Sequence, residues 1–170
     1  MRVCAMAYDV RDVGNAVLEA AAKGGFALSN MSLNKIVYFA HGWFLAQYGE
    51  PLVDSAFEAW QYGPVHPQIY RQFKSYKDQP IRSRLTKIDL ATGAQVPYRV
   101  SLPSREAELI ERITLFYGRF TAAKLVEISH QPGAPWDQVW CSAEAAPCPG
   151  MQIPDSVTES FYRGQFAKPS

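Results

Sequence analysis

The sequence lacks the features that mark membrane proteins and disulfide-bonded secreted proteins. Its longest apolar run, residues 36–46, has eleven residues and includes His41. A membrane-spanning helix needs about 20 such residues. The chain has three cysteines, an odd number, and its start carries no secretory signal pattern. Since reduced thiols are typical of the cytoplasm, we expect Cys4, Cys141 and Cys148 to be reduced in a soluble cytoplasmic protein.

Motifs for catalysis and metal binding are also missing. The sequence has no Gly-x-Ser-x-Gly motif and no glycine-rich phosphate loop. Its histidines do not have the spacing of metal ligands, either to one another or to Cys141 and Cys148. We expect His41 to be a hydrogen-bonded core histidine and His130 to bond a free carbonyl at a helix end. The sequence therefore predicts a protein that is not an enzyme and uses no metal or other cofactor.

Charge is balanced over the whole chain but not along it. The formal net charge is +1, which gives no general attraction to nucleic acid or membranes. Residues 71–105 hold eight Lys or Arg and two Asp, so this segment carries +6 and the remainder −5. One interpretation is a solvated surface on which Lys87 discourages edge pairing of a strand. The other is docking of an acidic protein or a phosphate backbone, with Arg82, Arg84 and Lys87 as candidates.

The spacing of apolar residues predicts a mainly α fold, a single compact helical domain over residues 1–170 with a small β-hairpin insertion. The second helix is apolar on nearly every side, which predicts a central, buried position. Between residues 85 and 102 the period changes to two, which predicts the hairpin. Residues 142–154 are predicted to be a loop. Helix caps are predicted at Asp9, Ser32 and Ser104, helix openings at Pro67 and Thr121, and a capping box at Ser156 and Glu159.

Residues 60–70, which we term the corner, combine aromatic side chains with residues that fix the backbone. Gly63 permits close backbone approach, and two prolines restrict the turn around it. The aromatic residues have two interpretations: a small core beneath a rigid loop, or a protein-binding surface. The second interpretation makes the following residues candidates for partner binding: Trp60, Tyr62, Gly63, Pro64, Val65 and Tyr70.

Several blocks of the sequence, taken in order, resemble the Panacea family, which includes SocA-like antitoxins and GepA-like phage-associated proteins. The blocks span residues 33–140, most of the chain. Each block is short, but their order and the intact Trp-x-Tyr-Gly-Pro-Val core make the combination specific. They are Leu33–Trp43, Tyr48–Leu52, Glu58–Val65, Ser129–His130 and Pro135–Trp136.

The resemblance implies an antitoxin that neutralises a protein toxin by binding it. For SocA-like members it further implies a proteolytic adaptor that delivers the toxin to a Clp-type protease. The residues themselves leave other functions open. One alternative is a nucleic-acid-associated regulator that uses the basic segment 71–105, and another is an uncharacterised enzyme or phage-associated factor. Duplex binding is disfavoured, because the helix pair 104–120 and 121–130 has a weak turn signal and its second helix is not basic.

Overall fold

The computed structural model describes residues 6–98, 101–142 and 150–166. These residues form seven α-helices, one 3₁₀ turn and two small antiparallel sheets, so the predicted mainly α fold is confirmed. Cys4, Cys148, Arg99 and Val100 lie outside the described residues.

The elements are α1 (Val10–Lys23), α2 (Asn30–Tyr48), β1 (Phe57–Trp60), β2 (Gly63–Val65), α3 (Pro67–Phe73), the 3₁₀ turn Lys74–Tyr76, β3 (Thr86–Ile88), β4 (Gln95–Pro97), α4 (Ser104–Tyr117), α5 (Ala122–Ser129), α6 (Pro135–Cys141), β5 (Gln152–Ile153) and α7 (Asp155–Phe166).

Helix α2 is the centre of the fold, as the sequence predicts. It contacts helices α1, α3, α4, α5 and α7. Ile36, Val37 and Tyr38 are at most 2% exposed, and because successive residues of a helix are about 100° apart, the three lie on different sides of it. Burying one such side chain fully contributes about 1.5 to 3 kcal/mol, so α2 supplies much of the driving force for folding. No helix in the described ranges has both the length and the apolar content needed to cross a bilayer.

Some predicted helix starts are confirmed. The side chain of Asp9 caps α1 by accepting a hydrogen bond from the Arg11 amide at 2.8 Å, and Thr121 caps α5 through the Lys124 amide at 3.2 Å. Pro67 is the first residue of α3, where its missing N–H costs nothing.

Three predicted caps are wrong. Ser29 caps α2 in place of Ser32, whose amide donates to Ser29 Oγ at 3.2 Å. Ser104 is the first residue of α4 and gives no side-chain cap, because the N-cap position belongs to Pro103. Ser156 and Glu159 both lie inside α7, which begins at Asp155, so they form no capping box.

The larger sheet has the strand order β2–β1–β5, and β2 packs on α2. Strand β1 pairs with β2 in the register Glu58↔Val65 and with β5 in the register Phe57↔Ile153. Strand β1 is therefore the middle strand of this sheet. The predicted loop 142–154 is wrong in part, because it contains β5, and residues 143–149 lie outside the described range.

The predicted β-hairpin is confirmed as the sheet β3–β4, although its strands are shorter than the alternating pattern indicates. The Asn15 side chain attaches it to α1 by donating to the carbonyls of Leu85 and Tyr98 and accepting from the Leu85 amide. On the outer edge, the Gln72 side-chain amide bonds both the N–H and the carbonyl of Thr86 at 2.9 Å. The hairpin is thus held by side chains from two helices.

Candidate partner-binding site

A polar strip on α2 holds the backbone of the corner. Asn30 Nδ2 donates to the Tyr70 carbonyl at 3.1 Å, Asn34 Oδ1 accepts from the His66 amide at 2.8 Å, and Lys35 Nζ donates to the Pro64 carbonyl at 2.9 Å. The three side chains are buried, at 5%, 1% and 0% exposure. The core helix therefore fixes the path of the corner at three points.

The amide of Asn34 has its orientation set by a neighbour on the same helix. Its Nδ2 donates to both the backbone carbonyl and the side-chain oxygen of Asn30, at 3.0 and 2.9 Å. This leaves Oδ1 free to accept from His66. A buried polar side chain with all its groups bonded gives directional stability, whereas an unbonded one would cost about 1 to 3 kcal/mol.

Lys35 is the least expected residue of this strip. It is fully buried, and no carboxylate pairs with it among the described residues. Burial lowers the pKa of Lys35 to about 7, because the charged ammonium loses its hydration. The Pro64 carbonyl is the polar group that it bonds. Lys35 therefore fixes Pro64 by a bond that does not need a permanent charge.

Gly63 packs directly against this buried lysine. Its φ is +102°, a conformation that disfavours any side chain. A Cβ at this position would lie 2.6 Å from Ser129 Oγ and 2.8 Å from Lys35 Cε. The close backbone approach expected from the sequence is thus present, and glycine is required for two independent reasons.

The C-terminal end of α5 and the start of α6 cover the other side of the corner. The rings of His130 and Trp136 are stacked, 3.7 Å apart and 6° from parallel, and Trp136 Nε1 donates to the Trp60 carbonyl at 2.7 Å. Trp136 is 8% exposed, so it is a buried side chain that packs against the corner. The predicted bond from His130 to a carbonyl is wrong, because the ring stacks on Trp136 and its Nε2 has no partner in the described structure. Burial, together with nearby Lys35, lowers the pKa of His130.

The candidates in the corner divide into exposed aromatics and buried supports. Tyr62 is 58% and Tyr70 39% exposed. Trp60 is half-buried, its ring 4.7 Å from that of Tyr70, and its Nε1 donates to Glu58 at 2.8 Å. The remaining three candidates have buried side chains and shape the backbone without offering a contact surface: Gly63, Pro64 and Val65.

The other two histidines have structural bonds. His41 is 1% exposed, accepts from the Val53 amide through Nδ1, and contacts Asp155 through Nε2 at 2.9 Å, as expected for a core histidine. His66 caps α3 by accepting from the Gln68 amide through Nδ1, so its Nε2 carries the proton and donates to Ser55 Oγ. Burial lowers the pKa of His66 to about 4. A histidine that donates to a serine cannot act as its base, so this pair is not a nucleophilic site.

Metal ligands do not converge in the part of the chain that the structure describes: no three His, Cys, Asp or Glu side chains lie close enough to hold an ion. Cys141 is an exposed free thiol whose pKa is raised by its hydrogen bond to Asp137. Thiolate character is what makes a cysteine reactive, so this thiol is not activated.

The candidates in the basic segment are used in different ways. Arg84 donates to the Asn15 carbonyl at 3.1 Å, and Lys87 lies over the Tyr98 ring at 4.9 Å, so both are engaged along the hairpin. Arg105, part of the same charge run, pairs with Glu50 and Glu106. Arg82 is exposed. The +6 segment is therefore not one uniform patch.

Sequence reasoning missed the polar strip that positions the corner. Asn30, Asn34 and Lys35 are polar residues in a helix that is otherwise apolar, and this interruption was the signal available. Their partners lie 29 to 40 residues away along the chain, at positions that a hydrophobic pattern does not specify.

Comparison with known proteins gives one consistent result. The family model described as "Antitoxin SocA-like, Panacea domain" matches residues 33–137, from the start of α2 into α6. The curated protein "Antitoxin SocA" of Caulobacter vibrioides (strain NA1000 / CB15N) is 39% identical over 160 residues, which is 92% of this chain and 84% of that relative. No solved structure gives a significant match.

Proposed function

Because the chain belongs to the SocA-like antitoxin family with a Panacea domain, we propose that it neutralises a protein toxin in the cytoplasm by binding it. The named relative is an antitoxin, and the identity extends over nearly the whole of this chain. The corner and the helix that anchors it both lie inside the range that the family model matches, apart from the first turn of that helix. The corner is therefore part of what the chain shares with its family.

We propose that the toxin contacts the corner through Tyr62, Tyr70 and the exposed part of Trp60. The observation that carries this proposal is the combination of exposed aromatic rings with a backbone fixed from the core by Asn30, Asn34 and Lys35. Rigid aromatic side chains give large contact area for little loss of conformational entropy. A surface that is already ordered before binding loses less entropy when its partner arrives.

We further propose that the bound toxin is presented to a Clp-type protease, as the family resemblance implies for SocA-like members. An adaptor must bind its cargo through one surface and leave another surface free for the protease. The exposed apolar side chains of the described residues fall in several places, which gives room for two surfaces. Besides the corner, they include Ile88 and Leu90 on the hairpin and Leu115 and Phe116 on α4.

Co-expression tests the binding function directly. We expect the toxin to be the product of a small gene adjacent to the gene for this chain, and that product is used in the test. We expect the chain to relieve growth inhibition by that protein and to co-purify with it without any added cofactor. Failure of both rescue and co-purification, with both proteins present and folded, would reject the antitoxin function.

A second measurement separates degradation from simple occlusion. The half-life of the toxin is followed after synthesis is stopped, in cells with and without the Clp protease. An adaptor shortens the half-life only where the protease is present. Full rescue with an unchanged half-life in both strains would reject the adaptor function and leave the binding function in place.

A further inference from the structure

Four basic side chains, which we term the basic ridge, stand apart from the other cations: Arg71, Lys74, Lys77 and Arg82. All four are exposed or nearly so. Within the described residues their side chains make no hydrogen bond, ion pair or cation–π contact. Every other Lys or Arg in those residues makes at least one, through a carboxylate, a carbonyl, an amide oxygen, a hydroxyl or an aromatic ring.

The members of the basic ridge lie on neighbouring segments of the chain. Arg71 lies in the last turn of α3, and Lys74 and Lys77 follow at intervals of three residues through the 3₁₀ turn. The segment around Arg82 runs back beside this turn, because Tyr76 Oη bonds the Ser83 hydroxyl at 3.0 Å. Asp78 supplies the one negative charge between residues 71 and 82, so the basic ridge keeps a local charge of +3.

The backbone at Lys77 is held in an unfavourable conformation. Its φ is 56° and its ψ −118°, and it is the one non-glycine residue with a positive φ among the described residues. Such a conformation costs about 1 to 3 kcal/mol and persists where the surroundings impose it. The chain therefore changes direction at Lys77, at the end of the 3₁₀ turn.

Aromatic surface adjoins the basic ridge at its other end. Tyr70, 39% exposed, directly precedes Arg71 and lies one helical turn before Lys74, so it shares a face with Lys74. The Trp60 ring packs against Tyr70 at 4.7 Å and supports it from the corner. A free positive surface beside an exposed aromatic ring is complementary to an acidic segment that carries an apolar side chain.

We propose that the basic ridge binds an acidic segment of the protein partner, with an apolar side chain of that segment against Tyr70. The identification of this partner as the toxin rests on the proposed function. A nucleic acid is the less favoured occupant, because four cations interrupted by Asp78 would neutralise few phosphates and specific duplex binding needs several more. Of the docking candidates that the sequence offered, Arg84 and Lys87 already have partners within the protein. The proposed site therefore uses basic residues nearer the corner in their place.

Fluorescence anisotropy with defined probes tests the charge selectivity. The probes are a labelled glutamate-rich peptide containing leucines, the same peptide with lysine for glutamate, and a labelled duplex of about 20 base pairs. We expect only the acidic peptide to bind, more weakly at about 200 mM than at about 50 mM salt. The variant Arg71→Glu/Lys74→Glu should weaken its binding by about 10-fold or more.

The matched control is Arg112→Glu/Lys124→Glu, which makes the same charge change on exposed residues of α4 and α5. It should change the affinity by less than about 2-fold, since screened charges act only at short range. If the reversed ridge variant fails to fold, Arg71→Gln/Lys74→Gln replaces it. No binding of the acidic peptide at low salt, an equal loss in the control, or tighter binding of the duplex would overturn the proposal.

A parallel experiment with the product of the adjacent small gene distinguishes this proposal from the proposed function. If that protein binds the wild type and the control variant but does not bind the ridge variant, both proposals are supported. Equal binding by all three proteins would overturn the docking of the partner on the basic ridge and leave the antitoxin function intact. If the gene product binds none of them, the antitoxin function fails, and the peptide measurements still decide whether the basic ridge binds acidic segments.

Discussion

Gly63 and Lys35 share one small volume beneath the corner, because a Cβ on Gly63 would lie 2.8 Å from Cε of Lys35. Lys35 belongs to the central helix, and Gly63 to the turn that carries the exposed Tyr62. The fit of a long buried side chain under a glycine couples the core to the candidate binding surface. Changes at either residue are therefore expected to affect both.

Gly63→Ala should destabilise the protein by about 2 to 5 kcal/mol, since overpacking costs about 1 to 3 kcal/mol and a positive φ about 1 to 2 kcal/mol. Gly93→Ala is the matched control, because Gly93 has a φ of +70° but a Cβ added there would meet no atom within 4 Å. Gly93→Ala should lose only the conformational part of the free energy of unfolding, about 1 to 2 kcal/mol. Urea denaturation measures both, and equal losses would show that contact with Lys35 and Ser129 is unimportant.

Asn34→Ala and Asn15→Ala should loosen different parts of the molecule at similar overall cost. The first leaves the His66 amide without its acceptor, and the second leaves the Leu85 amide without one. Each loss is expected to cost about 1 to 3 kcal/mol. Hydrogen exchange should show faster exchange near residues 63–70 for Asn34→Ala and near residues 85–98 for Asn15→Ala. The same pattern in both variants would contradict the assignment of separate anchors.

Lys35→Met should change how stability depends on pH. Burial lowers the pKa of Lys35 from 10.5 to about 7 in the folded protein. Between these values the unfolded chain binds a proton that the folded chain lacks, so the wild type gains stability as pH rises. Below pH 7 both states are protonated and the cost of burying the charge is constant.

Relative to Lys35→Met, the wild type should gain about 2 kcal/mol in free energy of unfolding between about pH 7 and pH 9. Denaturation of both proteins across this range gives the difference, and methionine keeps most of the length of the side chain without its charge. A constant difference between the two would mean that Lys35 keeps an ordinary pKa.

Tyr62→Ala should preserve the fold and weaken toxin binding, by about 10-fold or more if Tyr62 contributes as interface aromatics often do. Leu90→Ala is the control, because Leu90 is 98% exposed on the hairpin, away from the corner. Affinity for the adjacent gene product and thermal melting are measured for both. Unchanged affinity with Tyr62→Ala would remove this residue from the binding surface.

The sequence predicts the helices of this fold better than it predicts how they begin. The existence of helix α2 can be predicted from the spacing of its apolar residues, because that spacing reflects local helix geometry alone. Its cap cannot be predicted in this way, since Ser29 and Ser32 are both suitable N-cap residues. The helix is capped by Ser29, next to a contact between residues that are distant in sequence. The Leu28 carbonyl accepts a hydrogen bond from the Ile81 amide at 2.8 Å and holds the chain just before Ser29.

The candidate site shows the same division between local and distant information. The close approach of the backbone to its neighbours at Gly63 could be expected from the residue type. Its φ of +102° is a conformation that glycine adopts readily and other residues rarely do. The exposure of Tyr62 and the burial of Val65 could not be expected in this way, since Tyr62 lies in the turn between β1 and β2 and Val65 is buried where β2 packs on α2. Strand β5 was missed for a related reason: two residues are too few to show a period, and only pairing with β1 makes them a strand.

The bond between Gln72 and Thr86 has a consequence for how copies of the protein meet in concentrated solution. Strand β3 is an outer strand, and a free strand edge is a template on which a second chain can add and start an aggregate. The amide of Gln72 occupies both the N–H and the carbonyl of Thr86, as a neighbouring strand would. A single side chain thereby covers the Thr86 part of this edge against pairing with a second chain, while the hairpin stays exposed.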